Sequence, residues 1–199
     1  MSQQSLADYI EAHNKTHLIF DFDGTLAYMD IPWSERGEAF RDELRELDEE
    51  LWLKYDKRGG TLFSNDLVRK HGKKGLDILL KHAPLFEMQH KERFIRNEEL
   101  LRDVENFKDT YRMYIWSSNS RQLVEWVLEA NGMQDWFDKI VTRNDVRYLK
   151  PNPEGFLHIY DPDVPEERYL LIGDSSYDEG AAQAAGIDFY HTDFFNLGR

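Results

Sequence analysis

Asp21 and Asp23 stand one residue apart, directly after the apolar run His17-Leu18-Ile19-Phe20 and directly before Gly24-Thr25. On a regular strand their side chains point to opposite faces. Gly24 permits a sharp turn that brings both carboxylates toward one ligand. Like charges held together need a cation or a shared proton to relieve them. The competing reading is a strand-to-turn junction with two solvated aspartates, and this stretch alone leaves both open. Asp174 shifts the balance. It follows a second apolar run, Leu170-Leu171-Ile172-Gly173, with Asp178 shortly after. Ligands of an open parallel sheet sit beyond the carboxyl ends of its strands. Asp21, Asp23, Asp174 and Asp178 are therefore expected in one crevice. An all-oxygen cluster suits hard Mg²⁺, which pairs with phosphate. Asp178 taken singly also fits an acid at a helix N-terminus.

A third apolar run, Met113 to Trp116, ends in Ser117-Ser118-Asn119-Ser120. Hydroxyls, backbone N–H groups and a helix N-terminus make an anion site there, although simple capping explains Asn119 or Ser120. Lys150 lies in Tyr148-Leu149-Lys150-Pro151-Asn152-Pro153, a loop stiffened by its prolines. Beside the others, this lysine can neutralise a phosphate and keep a carboxylate ionised. Without them it is an ordinary solvated lysine.

These residues need a scaffold that gathers strand ends. Strands are expected at His17–Phe20, Met113–Trp116, Lys139–Thr142 and Tyr169–Ile172, with a shorter one at Ile187–Tyr190. Helical segments are expected over 5–13, 120–131 and 178–185. Asn119 with Gln122, and Ser176 with Glu179, have the spacing of reciprocal caps. Continuous apolar strands alternating with helices predict an α/β fold with a parallel sheet covered on both faces.

Residues 30–104 break that rhythm. Phe40, Leu44, Leu47 and Leu51 recur at helical spacing in a charge-rich stretch that Arg58-Gly59-Gly60 ends. Shorter helices are expected near 65–71, 75–82 and 97–106, and no strand signal is found between 34 and 104. The expected organisation is a core of 1–29 with 105–199, and an inserted helical lobe over 30–104. Arg69, Lys70, His71, Lys73 and Lys74 form a basic cluster in that lobe. It reads as a solvated turn more readily than as a substrate loop. Trp33 and Trp52 read as lobe packing before pocket lining. The aromatic tail Phe194-Phe195 has two candidate docking sites, the core and a second subunit.

Composition narrows the function classes. The 199 residues carry 25 Lys and Arg against 38 Asp and Glu, a net charge of −13. That argues against non-specific binding to nucleic acid or anionic membrane, both of which need a cationic footprint. With no cysteine, disulfides, thiolate zinc sites and cysteine nucleophiles are excluded. No apolar run reaches the ~20 residues of a membrane helix, and the N-terminus lacks a signal-peptide pattern. A cytoplasmic protein is expected, as monomer or homodimer.

The motifs together resemble those of the haloacid dehalogenase superfamily of hydrolases. They run in the family's order: Asp21-Phe22-Asp23-Gly24-Thr25-Leu26, Ser117, Lys150 in its Lys-Pro-x-Pro context, and Gly173-Asp174-Ser175-Ser176-Tyr177-Asp178. The resemblance implies a Rossmannoid core with an all-helical C1-type cap inserted after the first motif. It implies Asp21 as a nucleophile forming an aspartyl-phosphate and Asp23 as general acid/base. It implies Mg²⁺ held by Asp21, Asp174 and the backbone carbonyl of Asp23, with Asp178 acting directly or through water. Ser117, Ser118 and Lys150 would hold the phosphoryl group. An aspartate at position 23 favours phosphoryl chemistry over dehalogenation. The stretch Gly72 to Leu80 loosely resembles the cap of phosphoglycolate phosphatases. The expectation is a Mg²⁺-dependent phosphatase of a small phosphorylated metabolite. The alternatives are a phosphosugar mutase using the same intermediate and a catalytically silent binding protein.

Overall fold

The structure, a computed structural model, describes residues 4–35, 37–54 and 60–193. The chain runs through α1 (Leu6–Ala12), β1 (His17–Phe20), β2 (Ala27–Met29), α2 (Glu38–Lys54), α3 (Thr61–His71) and α4 (Lys73–Gln89). It continues through β3 (Phe94–Arg96), α5 (Glu98–Phe107), β4 (Arg112–Trp116), α6 (Arg121–Ala130), β5 (Lys139–Val141) and α7 (Glu154–Leu157). It closes with β6 (Tyr169–Gly173), α8 (Ser176–Ala185) and β7 (Asp188–His191). Arg58, Gly59 and the tail from Phe194 lie outside the described residues.

Five strands form one sheet in the order β5-β4-β1-β6-β7, and every neighbouring pair is parallel. Side-chain alternation splits the core into two layers. Leu18, Phe20, Met113, Ile115, Leu170 and Ile172 face α1, α5 and α6. Ile19, Trp116, Tyr169 and Leu171 face α7 and α8. Each fully buried Leu or Val on α6, such as Leu123 and Val127, contributes roughly 1.5–3 kcal/mol by leaving water. The expected α/β parallel sheet, helix-covered on both faces, is what forms.

Helices α2, α3 and α4 build a lobe with its own apolar centre of Phe40, Leu44, Trp52, Phe63, Leu67 and Leu79. Trp52 packs edge-on against Phe40 and Phe63. Asp48 has extended backbone inside α2, and its carboxylate accepts the Leu51 amide at 3.0 Å. It therefore bends α2 and caps the second half. Lys70 and His71 reach the same carboxylate at 2.6 and 2.7 Å. Arg69 pairs with Asp66 and Lys73 with Asp77. Most of the basic cluster is thus absorbed by lobe acids.

Three local expectations need correction. A strand, β3, does occur between 34 and 104, pairing antiparallel with β2 (Tyr28 opposite Ile95). Its Phe-Ile-Arg stretch is too short to carry a periodicity signal. Ser120, not Asn119, caps α6, accepting from the Leu123 amide. Ser175 with Asp178, not Ser176 with Glu179, forms the capping box of α8. Leu100, Leu101 and Val104 of α5 pack into the sheet's apolar layer.

Candidate active site

The carboxyl ends of β1, β4 and β6 lie side by side because β1 pairs with both neighbours in register, Phe20 opposite Ile115 and Ile172. Asp21 leaves β1 with its amide bonded to the Ile172 carbonyl at 2.9 Å. Gly24 follows at φ +90°, and a Cβ there would collide with the Asp174 carboxylate. Only a glycine lets the first loop lie against the end of β6. At Gly173 a Cβ would sit 2.7 Å from Cβ of Asp178, so this residue lets α8 fold back over its own strand.

One carboxylate oxygen from each of Asp21, Asp174 and Asp178 lies within 4.8 Å of the others. Lys150 is buried among them. Its Nζ donates to Asp21 Oδ1, to Asp178 Oδ1 and to the Trp116 carbonyl, the last at 2.9 Å. The Lys150–Pro151 peptide is cis. Thr25 Oγ1 bridges Asp21 and Asp174 at 3.4 and 3.5 Å. The second oxygen of Asp178 accepts the Ser175 amide at 3.2 Å. Asp178 therefore serves both as helix cap and as lysine partner.

The charges do not balance. Three carboxylates face one ammonium group. Burial pushes the Asp21 carboxyl up to about 8, with the Asp178 charge adding and Lys150 opposing. Asp174 is raised by burial and then by Asp178. Burial alone would lower Lys150, but Asp178 and Asp21 outweigh it and raise its pKa. An oxygen-only donor set with surplus negative charge fits a hard divalent cation. The side chain of Asp23 stands apart from this triad. Its Oδ1 accepts the Met29 amide at 2.8 Å. Burial raises it to about 6 against that hydrogen bond, with Asp174 and Glu87 adding.

A cavity of about 290 Å³ opens over these groups, lined from the core by Asp21, Asp23, Lys150 and Asp174 and from the lobe by Thr61 and Ser64. Ser118 and Asn119 line it, whereas Ser117 is buried in its own loop, its Oγ donating to Asn119 Oδ1 at 3.0 Å. The sequence reading missed Arg143 as a cavity residue, held Asn119 within the anion-site stretch or as a cap, and weighed Trp33 as packing. Trp33 does stack obliquely on Phe86, yet it also lines the cavity. Arg143 carried no motif. Only its position just past β5 marks it.

Known proteins resemble this chain in sequence and in fold. The chain is 29% identical to pyrophosphatase PpaX of Bacillus thuringiensis (strain Al Hakam) over 127 residues, 61% of this chain and 58% of the relative. The chain thus spans somewhat over half the length of the curated relatives it matches. A haloacid dehalogenase-like hydrolase of Bacteroides fragilis superposes with a TM-score of 0.62 at 27% identity, over 89% of this chain and 87% of the other. A Lactobacillus plantarum structure described as a phosphoglycolate phosphatase has a TM-score of 0.59 at 21% identity, over 88% and 84%. The latter likeness is one of fold. A family model of haloacid dehalogenase-like hydrolases matches residues 18–192. That span holds the sheet except for His17 at the start of β1, with all four aspartates, and the chain belongs to the haloacid dehalogenase-like hydrolases.

Proposed function

We propose that the protein is a Mg²⁺-dependent phosphatase of small phosphorylated metabolites, working through an aspartyl-phosphate on Asp21. The observation that carries this reading is the convergence of Asp21, Asp174 and Asp178 around Lys150, with Asp23 beside them at a pKa of about 6. A carboxylate nucleophile divides a hard displacement into two easier ones. Uncatalysed phosphate-monoester hydrolysis is among the slowest reactions known, so charge neutralisation carries most of the catalysis.

In this reading an Asp21 carboxylate oxygen attacks phosphorus as the bond to the leaving oxygen breaks. Asp23 gives its proton to that oxygen. Asp23, now a carboxylate, takes a proton from water, whose oxygen attacks the phosphorus of the aspartyl-phosphate and frees Asp21. A carboxyl group near pKa 6 suits both halves of that exchange at neutral pH. The polar loop at Ser118 and Asn119 holds the transferring group, and the buried Lys150 charge lowers the repulsion it meets from the carboxylates. Asp21 and Asp174, with the Asp23 carbonyl, would hold Mg²⁺, which when bound neutralises charge on the phosphoryl oxygens and favours the ionised form of Asp21. Asp178 positions Lys150. The cavity has room for a small metabolite. The name of the pyrophosphatase relative makes inorganic diphosphate a first substrate to try.

The test is phosphate release from an aryl phosphate by the purified chain with Mg²⁺. Turnover that stops with a chelator and is absent in Asp21→Asn is expected. Turnover that survives in Asp21→Asn overturns the nucleophile.

A further inference from the structure

We propose that Arg143 is a specificity-determining residue that receives a second anionic group, a carboxylate or a phosphoryl group on the leaving portion of the substrate. The inference rests on the phosphatase reading and adds to it the charge of the substrate's other end.

Among the described residues that line the catalytic cavity, Lys150 and Arg143 are the cations. Lys150 has three N–H donors, and Asp21, Asp178 and the Trp116 carbonyl take all of them. Arg143 differs. Its guanidinium offers five N–H donors in a fixed fork, and Nε donates to the Ser118 carbonyl at 2.8 Å. Its charged neighbour, Glu87, stands 3.9 Å from Nη2, beyond hydrogen-bonding distance. Glu87 Oε1 is buried without a hydrogen-bond partner. The Nη donors thus have no hydrogen-bond partner among the described residues, although Arg143 is only 9% exposed. Glu87 does not line the cavity. It lies behind the wall, its other oxygen accepting the Ser120 amide at 2.8 Å.

The residue is also held in place. The turn just past β5 is closed by a capping box between Thr142 and Asp145. The Arg143 amide donates to the Asn119 carbonyl at 3.0 Å. A fixed fork with open donors is pre-organised for a planar or tetrahedral oxyanion. A substrate with a neutral leaving group would leave those donors unsatisfied in a partly dry site, which costs binding. An anionic one satisfies them, and the Arg143 charge offsets its repulsion by the four aspartates. A merely structural Arg143 would balance Glu87 and have no preference between such substrates.

The test compares kcat/KM for p-nitrophenyl phosphate, inorganic diphosphate and 2-phosphoglycolate with Mg²⁺, in wild type, Arg143→Met and Arg143→Lys. The wild type is expected to favour one or both anionic leaving groups. Arg143→Met should cut that preference roughly ten- to a hundredfold, mainly through KM, and Arg143→Lys should restore part of it. The diphosphate and carboxylate arms tell the two anions apart. An equal loss on all three substrates in Arg143→Met overturns the proposal, as does a wild type with no preference. Should Arg143→Met fail to fold, Glu87→Gln/Arg143→Met removes both buried charges and is judged by the same two outcomes. A wild type that hydrolyses none of the three defeats the phosphatase reading itself, which a preference-free aryl phosphatase would not.

Discussion

Gly24 lies directly beneath the carboxylate of Asp174, so close that no side chain fits between them. The contact joins the first loop of the sheet to a residue about 150 positions later. Gly24→Ala adds a Cβ at φ +90° and pushes the two loops apart. The expected cost is about 1–3 kcal/mol of stability, together with loss of Mg²⁺ binding. Thermal melts and calorimetric titration with Mg²⁺ measure both. Unchanged cation affinity in a folded variant would show that this contact does not set the geometry of the triad.

Asp21→Asn should abolish turnover by on the order of 10⁴-fold or more without unfolding the chain. Burial already opposes the charge on Asp21, and an amide of the same shape removes it. Melting at neutral pH is therefore expected no lower than in wild type. Paired melting curves and single-turnover phosphate release check the two halves separately.

Asp23→Asn separates proton transfer from cation binding. The Asp23 carboxylate bonds the Met29 amide and is not one of the triad. Turnover should fall ~10²–10⁴-fold while the Mg²⁺ dissociation constant moves little. A parallel loss of both would merge the roles assigned separately to Asp21 and Asp23.

Lys150→Met leaves Asp21 and Asp178 buried without their shared cation. Removing one partner of a buried ion pair costs about 3–5 kcal/mol. Urea denaturation in chelator should show that loss, and added Mg²⁺ should recover part of it. Full stability without the divalent ion would mean that the Lys150 pairings do not hold the fold together.

Asp48 supplies a pH-dependent term in the lobe. Lys70, His71 and the Leu51 amide hold its carboxyl well below the ordinary carboxylate range, against the opposing effect of burial. A depressed folded-state pKa stabilises the fold above the unfolded value near ~3.9 and loses that contribution as pH falls further. The gap in urea midpoint between wild type and Asp48→Asn should be constant from neutrality to about pH 5 and shrink below about pH 4. A gap that persists undiminished to pH 2 would mean that Asp48 acts by shape alone.

The sheet and the principal carboxylates were legible because each rests on a local signal. Leu18-Ile19-Phe20 and Leu170-Leu171-Ile172 are continuous apolar runs; Asp21 directly follows the first, and Asp174 follows the second after Gly173. What stayed hidden depends on distant partners. β3 exists because Tyr28 pairs with Ile95, a pairing of short pieces with no periodicity of their own. Ser117 looked like a cavity hydroxyl, but the loop turns it inward to Asn119. Arg143 is a plain arginine in sequence. Its meaning comes from distant neighbours: the cavity it lines and the Ser118 carbonyl that holds its Nε.

The strand order puts the earliest strand in the middle. β1 finds its two neighbours only after the lobe and most of the chain have been made. Loop closure over such spans slows folding. During synthesis the growing polypeptide holds Asp21 long before Asp174 or Lys150 leaves the ribosome. Nascent fragments that stop short of β6 lack the partner for one edge of β1, and an unpaired strand edge is a template for pairing with another chain.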